Sequence, residues 1–383
     1  MRRGLSAVLL VVAGAISLAC GSTAPPAASP TGATLSAATA SPQTSIPQAT
    51  RTALASSSQS PGAAASASPA ASLASGCGPD PEPQPSGVAG GIWASGSTLP
   101  KPFAETTAAV IDCRIYIPGG LDINPTGTPS RIRDLASLLV YEPAADAYRT
   151  LADMPEGRNH AGAAALDGQL YVSGGYLQTT ATRSLYRYDP SRNTWTTLAD
   201  MPGGRAAHAL IGFAGKLFAV GGVIRGERDW TPMWVYDVAT DRWSADYPAL
   251  PTQREHVTGV EVGGRLYVIG GRYLSNVPTV EIYDPDVNAW IEGPNRPTPA
   301  SAMTAMVLDG VIHTTGGEDI NELRTLGAHE ALDTATSTWT AFADLPTRRH
   351  GTFGGQVDGR WFVMGGGRAA DLAVSDIVEV WSP

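Results

Sequence analysis

Six times along the chain a short alternating aliphatic run ends at two adjacent glycines: CRIYIPGG, QLYVSGG, KLFAVGG, RLYVIGG, VIHTTGG and RWFVMGG. The pairs fall at Gly119-Gly120, Gly174-Gly175, Gly221-Gly222, Gly270-Gly271, Gly316-Gly317 and Gly365-Gly366, so the period is close to fifty residues. Self-similarity at that period marks a repeat architecture rather than a set of separate domains. An aromatic residue precedes each pair at a nearly constant distance, at Trp93, Tyr148, Trp195, Trp243, Trp290 and Trp339, with Tyr141, Tyr188, Tyr236, Tyr283 or Leu332 seven residues before the last five. Between these markers the polarity alternates with period two, and turns such as Asp167-Gly168 and Asp189-Pro190 divide each unit into four short strands. Antiparallel hairpins are the local structure this predicts.

A four-stranded sheet with two apolar faces cannot bury both alone, and a ring of such sheets solves the problem by packing each against the next. The double glycine, tyrosine and tryptophan at these relative positions resemble the kelch repeat, over residues 90 to 383. The resemblance implies an all-β fold: a six-bladed kelch β-propeller with four antiparallel strands per blade. Its glycines and aromatics are structural. The last unit stops after its third strand at Trp381 and Pro383, while GIWASG around Trp93 has the sequence of a fourth strand without the other three. The N-terminal strand is therefore expected to complete the sixth blade.

The residues before the repeats read differently. Residues 1–20, a pair of arginines and then an apolar run from Leu5 to Ala19, have the form of a signal peptide, too short for an ordinary membrane span. The run ends at Leu18-Ala19-Cys20-Gly21, which resembles the lipobox of exported bacterial lipoproteins and makes Cys20 the lipidation candidate; plain cleavage and secretion is the alternative. Residues 21–87 are rich in Ala, Ser, Thr and Pro, unable to bury enough surface to offset ordering, and are expected to be a disordered linker. The propeller is assigned to residues 88–383. An exported chain tends to pair its remaining cysteines, here Cys77 and Cys113 in the first turn of the first repeat, although two unrelated thiols are the other option.

A net charge of -9 argues against a nucleic-acid partner, and contact with a membrane is expected through a lipid anchor only, in a monomeric protein at the cell surface or in the periplasm. No metal-ligand spacing, phosphate loop or nucleophile elbow is present, and neither metal nor cofactor is implied. The one recurrent polar feature lies sixteen residues before four of the double glycines, at Arg158, Arg205, Arg254 and Arg349, with His160, His208, His256 and His350 just after. In kelch propellers this stretch opens the innermost strand near the mouth of the central channel. The resemblance thus implies a partial ring of arginines suited to an acidic ligand, against the alternative that these residues bond loops and neighbouring blades. Phe103 and Ala300 replace arginine in the first and fifth repeats, and charged loop residues such as Arg225, Glu227, Arg228, Glu318 and Asp319 surround the same face. The leading functional expectation is a noncatalytic propeller binding a protein or an acidic glycan. The second is a sugar-active enzyme resembling N-acetylneuraminate epimerase, with mouth arginines holding a carboxylate and Glu318 or Asp319 moving protons.

Overall fold

The computed structural model of the chain describes residues 90–123, 131–224, 232–370 and 372–383. All of these lie in the second of two compact units, 69–383. The leader, Cys20, the linker and Cys77 fall outside the described residues, as do Arg225, Glu227 and Arg228.

Six four-stranded antiparallel sheets follow one another, each opening with the strand nearest the central axis. Blade 1 consists of Ala109–Ile111, Arg114–Pro118, Leu138–Glu142 and Ala147–Thr150, and blades 2 to 5 repeat that order. Blade 6 takes Phe353–Val357, Arg360–Met364 and Val378–Ser382 from the end of the chain and its outermost strand, Ile92–Ser95, from the start. That strand pairs antiparallel with the last one, Ile92 opposite Ser382 and Trp93 opposite Trp381, which is the closure the sequence implied. Three second-to-third-strand connections form two-stranded hairpins of their own, in blades 1, 2 and 5.

The double glycines sit where backbones crowd. Gly174 has φ +58°, and a Cβ there would stand 2.2 Å from the Arg205 carbonyl of the next blade. A side chain fails at this position on sterics and on conformation together. The aromatics bridge blades, as their size suggests. Trp195 Nε1 donates to the Ala152 carbonyl of the preceding blade at 2.8 Å, and Trp243, Trp290, Trp339 and Trp93 make the same bond to Ala199, Pro248, Pro294 and Ala343. Cys113 occupies a left-handed turn position, φ 61°, and packs against the apolar cluster between blades 6 and 1.

Candidate functional site

The four recurrent arginines do not form the walls of the mouth. Arg158, Arg205 and Arg349 are fully buried and Arg254 is 1% exposed. Each guanidinium turns into its own blade. Arg254 Nε donates to the Gly270 carbonyl at 2.7 Å and its Nη2 to Val268, and Arg349 repeats both bonds with Gly365 and Val363. The remaining nitrogen meets a buried carboxylate on the third strand, Glu281 for Arg254 and Glu379 for Arg349. Blade 5, with Ala300 at the arginine position, supplies the same cation from four residues earlier: Arg296 bonds Thr314 and Ala328 and pairs with Glu330. In blades 2 and 3 the third-strand position is aromatic. Arg158 lies over the Tyr186 ring at 4.6 Å and Arg205 over Trp234 at 4.0 Å. Blade 1 has Phe103 stacked on Phe353 and, at the third-strand position, Leu139. Cation and counter-group thus change together around the ring. Where burial is not met by a carboxylate, as at Arg205, it pulls the guanidinium down to about 9. The acidic ligand expected of these residues would find no exposed fork, because their donors already hold the strands of each blade together.

What lines the mouth instead grows from a ring of main-chain hydrogen bonds. Fourteen residues before each double glycine stands Glu105, His160, Ala207, His256, Ala302 or Gly351, one per blade, all with φ between 50° and 59°. The amide of each donates to the carbonyl of its predecessor: His160 to Glu105 at 2.7 Å, Ala207 to His160, His256 to Ala207, Ala302 to His256, Gly351 to Ala302, and Glu105 back to Gly351 at 3.0 Å. The residue just before each ring member bridges the one after its double glycine, as in Glu255 with Arg272, Ser301 with Glu318 and His350 with Gly367. Below the ring lies a central channel of about 370 Å³, walled by the first strands, with His208 as its titratable side chain.

The histidines follow these positions rather than their nearness to the arginines. His160 and His256 are ring members, His350 precedes one, and His208 follows one. The first three converge; His208 leaves the cluster and meets Ser173 Oγ at 2.8 Å between blades, where burial pushes it down to about 3. At the mouth, His160 Nε2 lies 3.2 Å from Glu105 Oε2 and His350 Nε2 3.4 Å from Glu105 Oε1. The rings of His160 and His256 meet edge to face at 4.9 Å. Arg272 links Glu255, at 3.0 Å, to Glu318 and touches His256 Nε2 at 3.3 Å. Burial alone would raise the Glu105 carboxyl, yet His160, His350, His256 and Arg272 around it outweigh that and hold it below the usual range. Burial brings His160 down to about 4. Glu105, His160, His256, Arg272, Glu318 and His350 enclose a cavity of about 100 Å³.

Sequence reasoning passed over Glu105, Glu255 and Arg272. Their signal is positional: aligned on the double glycine, they occupy the ring position, the one before it and the one after the glycines, but no two are close enough in sequence to read as a motif, except Glu255 beside His256.

Comparison with known proteins agrees with this architecture. Residues 92–271 match the KLHDC2/KLHL20/DRC7 Kelch-repeats domain and residues 253–297 the Kelch motif. The chain is 28% identical over 307 residues to Kelch-like protein terF of Aspergillus terreus, covering 76% of this chain and 56% of that protein. It is 33% identical over 227 residues to mouse Kelch-like protein 35, covering 59% and 29% respectively, and 30% identical over 107 residues to Kelch-like ECH-associated protein 1A of Danio rerio, covering 27% and 18%. The chain therefore spans little more than half, or less, of the length of these relatives.

Proposed function

We propose that this ring of kelch repeats is a noncatalytic binding module that takes a protein partner on the face carrying the inter-blade and second-to-third-strand connections. The observation that carries the reading is an apolar rim on that face. Leu177 in blade 2, Tyr273 and Leu274 in blade 4 and Leu323 in blade 5 all sit in second-to-third-strand connections, and Leu274 and Leu323 are 80% and 74% exposed. Four of the seven exposed large apolar side chains among the described residues fall in these connections, around a polar cup, a composition that suits a protein contact surface. The cup itself is small, and its arginine is already paired with two carboxylates, which leaves little for a free acidic glycan to displace. The relatives' kelch repeats support the same class of function.

The test is crosslinking of the intact chain to its neighbours in its native envelope, compared with Leu274→Asp/Leu323→Asp. Loss of a defined crosslinked species in the rim variant, with Ile291→Asp on the outer strand of blade 4 as control, supports the reading; an unchanged set overturns it. We further propose export, membrane attachment through lipid on Cys20, and a Cys77 to Cys113 disulfide that fastens the linker to blade 1. Blade 6 begins its outer strand beside Ser382, on the face of the first-to-second-strand turns that also holds Cys113, and this supports the pairing. Mass mapping of the unreduced mature chain tests lipid and disulfide together.

One observation favours the enzyme reading: Arg272 and Glu318 face each other at the mouth beside Glu105. Mutarotation of N-acetylneuraminate by the chain, abolished in Glu105→Gln, would establish it.

A further inference from the structure

Three of the six ring members carry side chains able to donate an electron pair to a metal, and the fold points them at one another. The donor atoms of Glu105, His160 and His256 lie within 4.8 Å of each other, although the residues come from blades 1, 2 and 4. Their protonation is set by partners behind them. Asn159 donates its amide nitrogen to Asp134 and therefore turns its oxygen to His160 Nδ1, so Nδ1 bears the hydrogen and Nε2 an open lone pair. That nitrogen lies 3.2 Å from a Glu105 oxygen, a pair of donor atoms between which a proton or a metal ion can sit. His256 Nδ1 lies 3.3 Å from Glu255, and its Nε2 lone pair now meets Arg272 at 3.3 Å; an ion on Nε2 takes the place of that contact, Arg272 keeping its pairs with Glu255 and Glu318. Imidazoles oriented by a carboxylate or amide behind the distal nitrogen are the arrangement that metal-binding histidines have.

Charge leads to the same place. Glu105, Glu255 and Glu318 gather around a single guanidinium, Arg272, so carboxylates outnumber fixed cations in the cluster. A divalent ion would add positive charge where it is scarce. We propose that Glu105, His160 and His256 bind one divalent first-row transition ion, of which Zn²⁺ is the representative, at the neck between the mouth and the central channel. Two imidazoles and one carboxylate select such an ion over Mg²⁺ or Ca²⁺, which prefer all-oxygen shells. All three side chains border both the mouth cavity of about 100 Å³ and the cavity of about 60 Å³ beneath it, so a three-ligand ion keeps open positions for water or for a partner's donor atom. His350, 3.4 Å from the other Glu105 oxygen, holds that carboxylate in place. This inference is independent of whether the rim binds a protein.

The full chain, stripped with EDTA, is titrated with ZnCl₂ and in parallel with MgCl₂ by calorimetry, and with CoCl₂ by visible absorption. One equivalent of Zn²⁺ and of Co²⁺ is expected, with no heat from Mg²⁺. Glu105→Gln and His256→Gln should weaken Zn²⁺ binding at least tenfold, and Asn159→Ala, acting through His160, by about 10- to 100-fold. Melting of the metal-free variants reports that each is folded. As a measurement needing no variant, Zn²⁺ should protect His160 and His256 of the wild-type chain from diethyl pyrocarbonate, read by peptide mass mapping. Absence of Zn²⁺ binding, binding unchanged in Glu105→Gln and His256→Gln, no protection of the two histidines, or an intense thiolate-to-cobalt band placing the ion on cysteine would each overturn the proposal.

Discussion

The amide of Glu105 donates to the carbonyl of Gly351 at 3.0 Å, a bond across 246 positions of sequence that joins blade 1 to blade 6 at the channel while Trp93 and Trp381 join the chain ends within blade 6. The propeller is thus closed twice, at its axis and at its perimeter. Each ring member holds φ near +55°, a conformation in which a non-glycine residue carries about 1 kcal/mol or more of strain. Ala302→Gly should therefore be neutral or stabilising by up to ~1 kcal/mol in urea unfolding. Gly351→Ala should not gain stability, since its Cβ would press on the Glu105 carboxylate.

Removing one half of a buried ion pair leaves the other half charged and unmatched. Glu281→Ala or Arg254→Met alone is expected to cost ~3–5 kcal/mol, whereas Arg254→Met with Glu281→Met together should cost markedly less than the sum. A double-mutant cycle in urea measures the difference. The same cycle on Arg205 and Trp234, where the counter-group is a ring, should give a coupling nearer ~1–2 kcal/mol.

Two glycines with nearly the same backbone separate conformation from crowding. Gly168 has φ +71° with open space around it, and Gly174 has φ +58° against the Arg205 carbonyl. Gly168→Ala should cost ~1 kcal/mol and Gly174→Ala several times that, measured as the shift in urea midpoint at constant slope.

Acid should unfold the protein well before its carboxylates are all protonated. Burial holds His208 at about 3, His313 at about 4 and His329 at about 3, each far below the 6.5 of an unfolded histidine. The unfolded chain takes up these protons first, so the stability they contribute is complete above pH 6.5 and is lost as the pH falls towards 3 to 4. Each adds up to ~1.4 kcal/mol per pH unit within that window. Melting temperature measured between pH 7 and pH 4.5 should fall steeply, and less steeply in His208→Gln; a flat profile would contradict the burial of these rings.

Much of this fold could be read from spacing because the double glycines, Tyr188 and Trp195 act at fixed offsets within one blade or between neighbours. The arginines were visible as a column, but their destination was not. Whether Arg254 reaches outward or inward depends on Glu281 standing opposite Val268, a register relation that only the assembled sheet displays. The histidines were legible only in part, for a geometric reason: His350, His160 and His208 stand at three successive offsets from the glycines, and one residue's shift at the start of a strand sends His208 to the space between blades while His160, His256 and His350 converge at the mouth. Glu105 meets His256 only after the chain has gone half-way round the axis, and no local pattern announces a meeting between residues so far apart.

Because the six ring bonds use main-chain atoms alone, they ask nothing of the side chains except tolerance of a left-handed backbone. The neck therefore works as a turret with six mounts, here armed with one carboxylate and two imidazoles and otherwise left bare at Ala207, Ala302 and Gly351. A single codon change at Ala207 or Ala302 would add a fourth chemical group at the ring without redrawing the scaffold, whereas Gly351 is held bare by the Glu105 carboxylate beside it, so the chemistry of this mouth can drift one position at a time while the propeller that carries it stays the same.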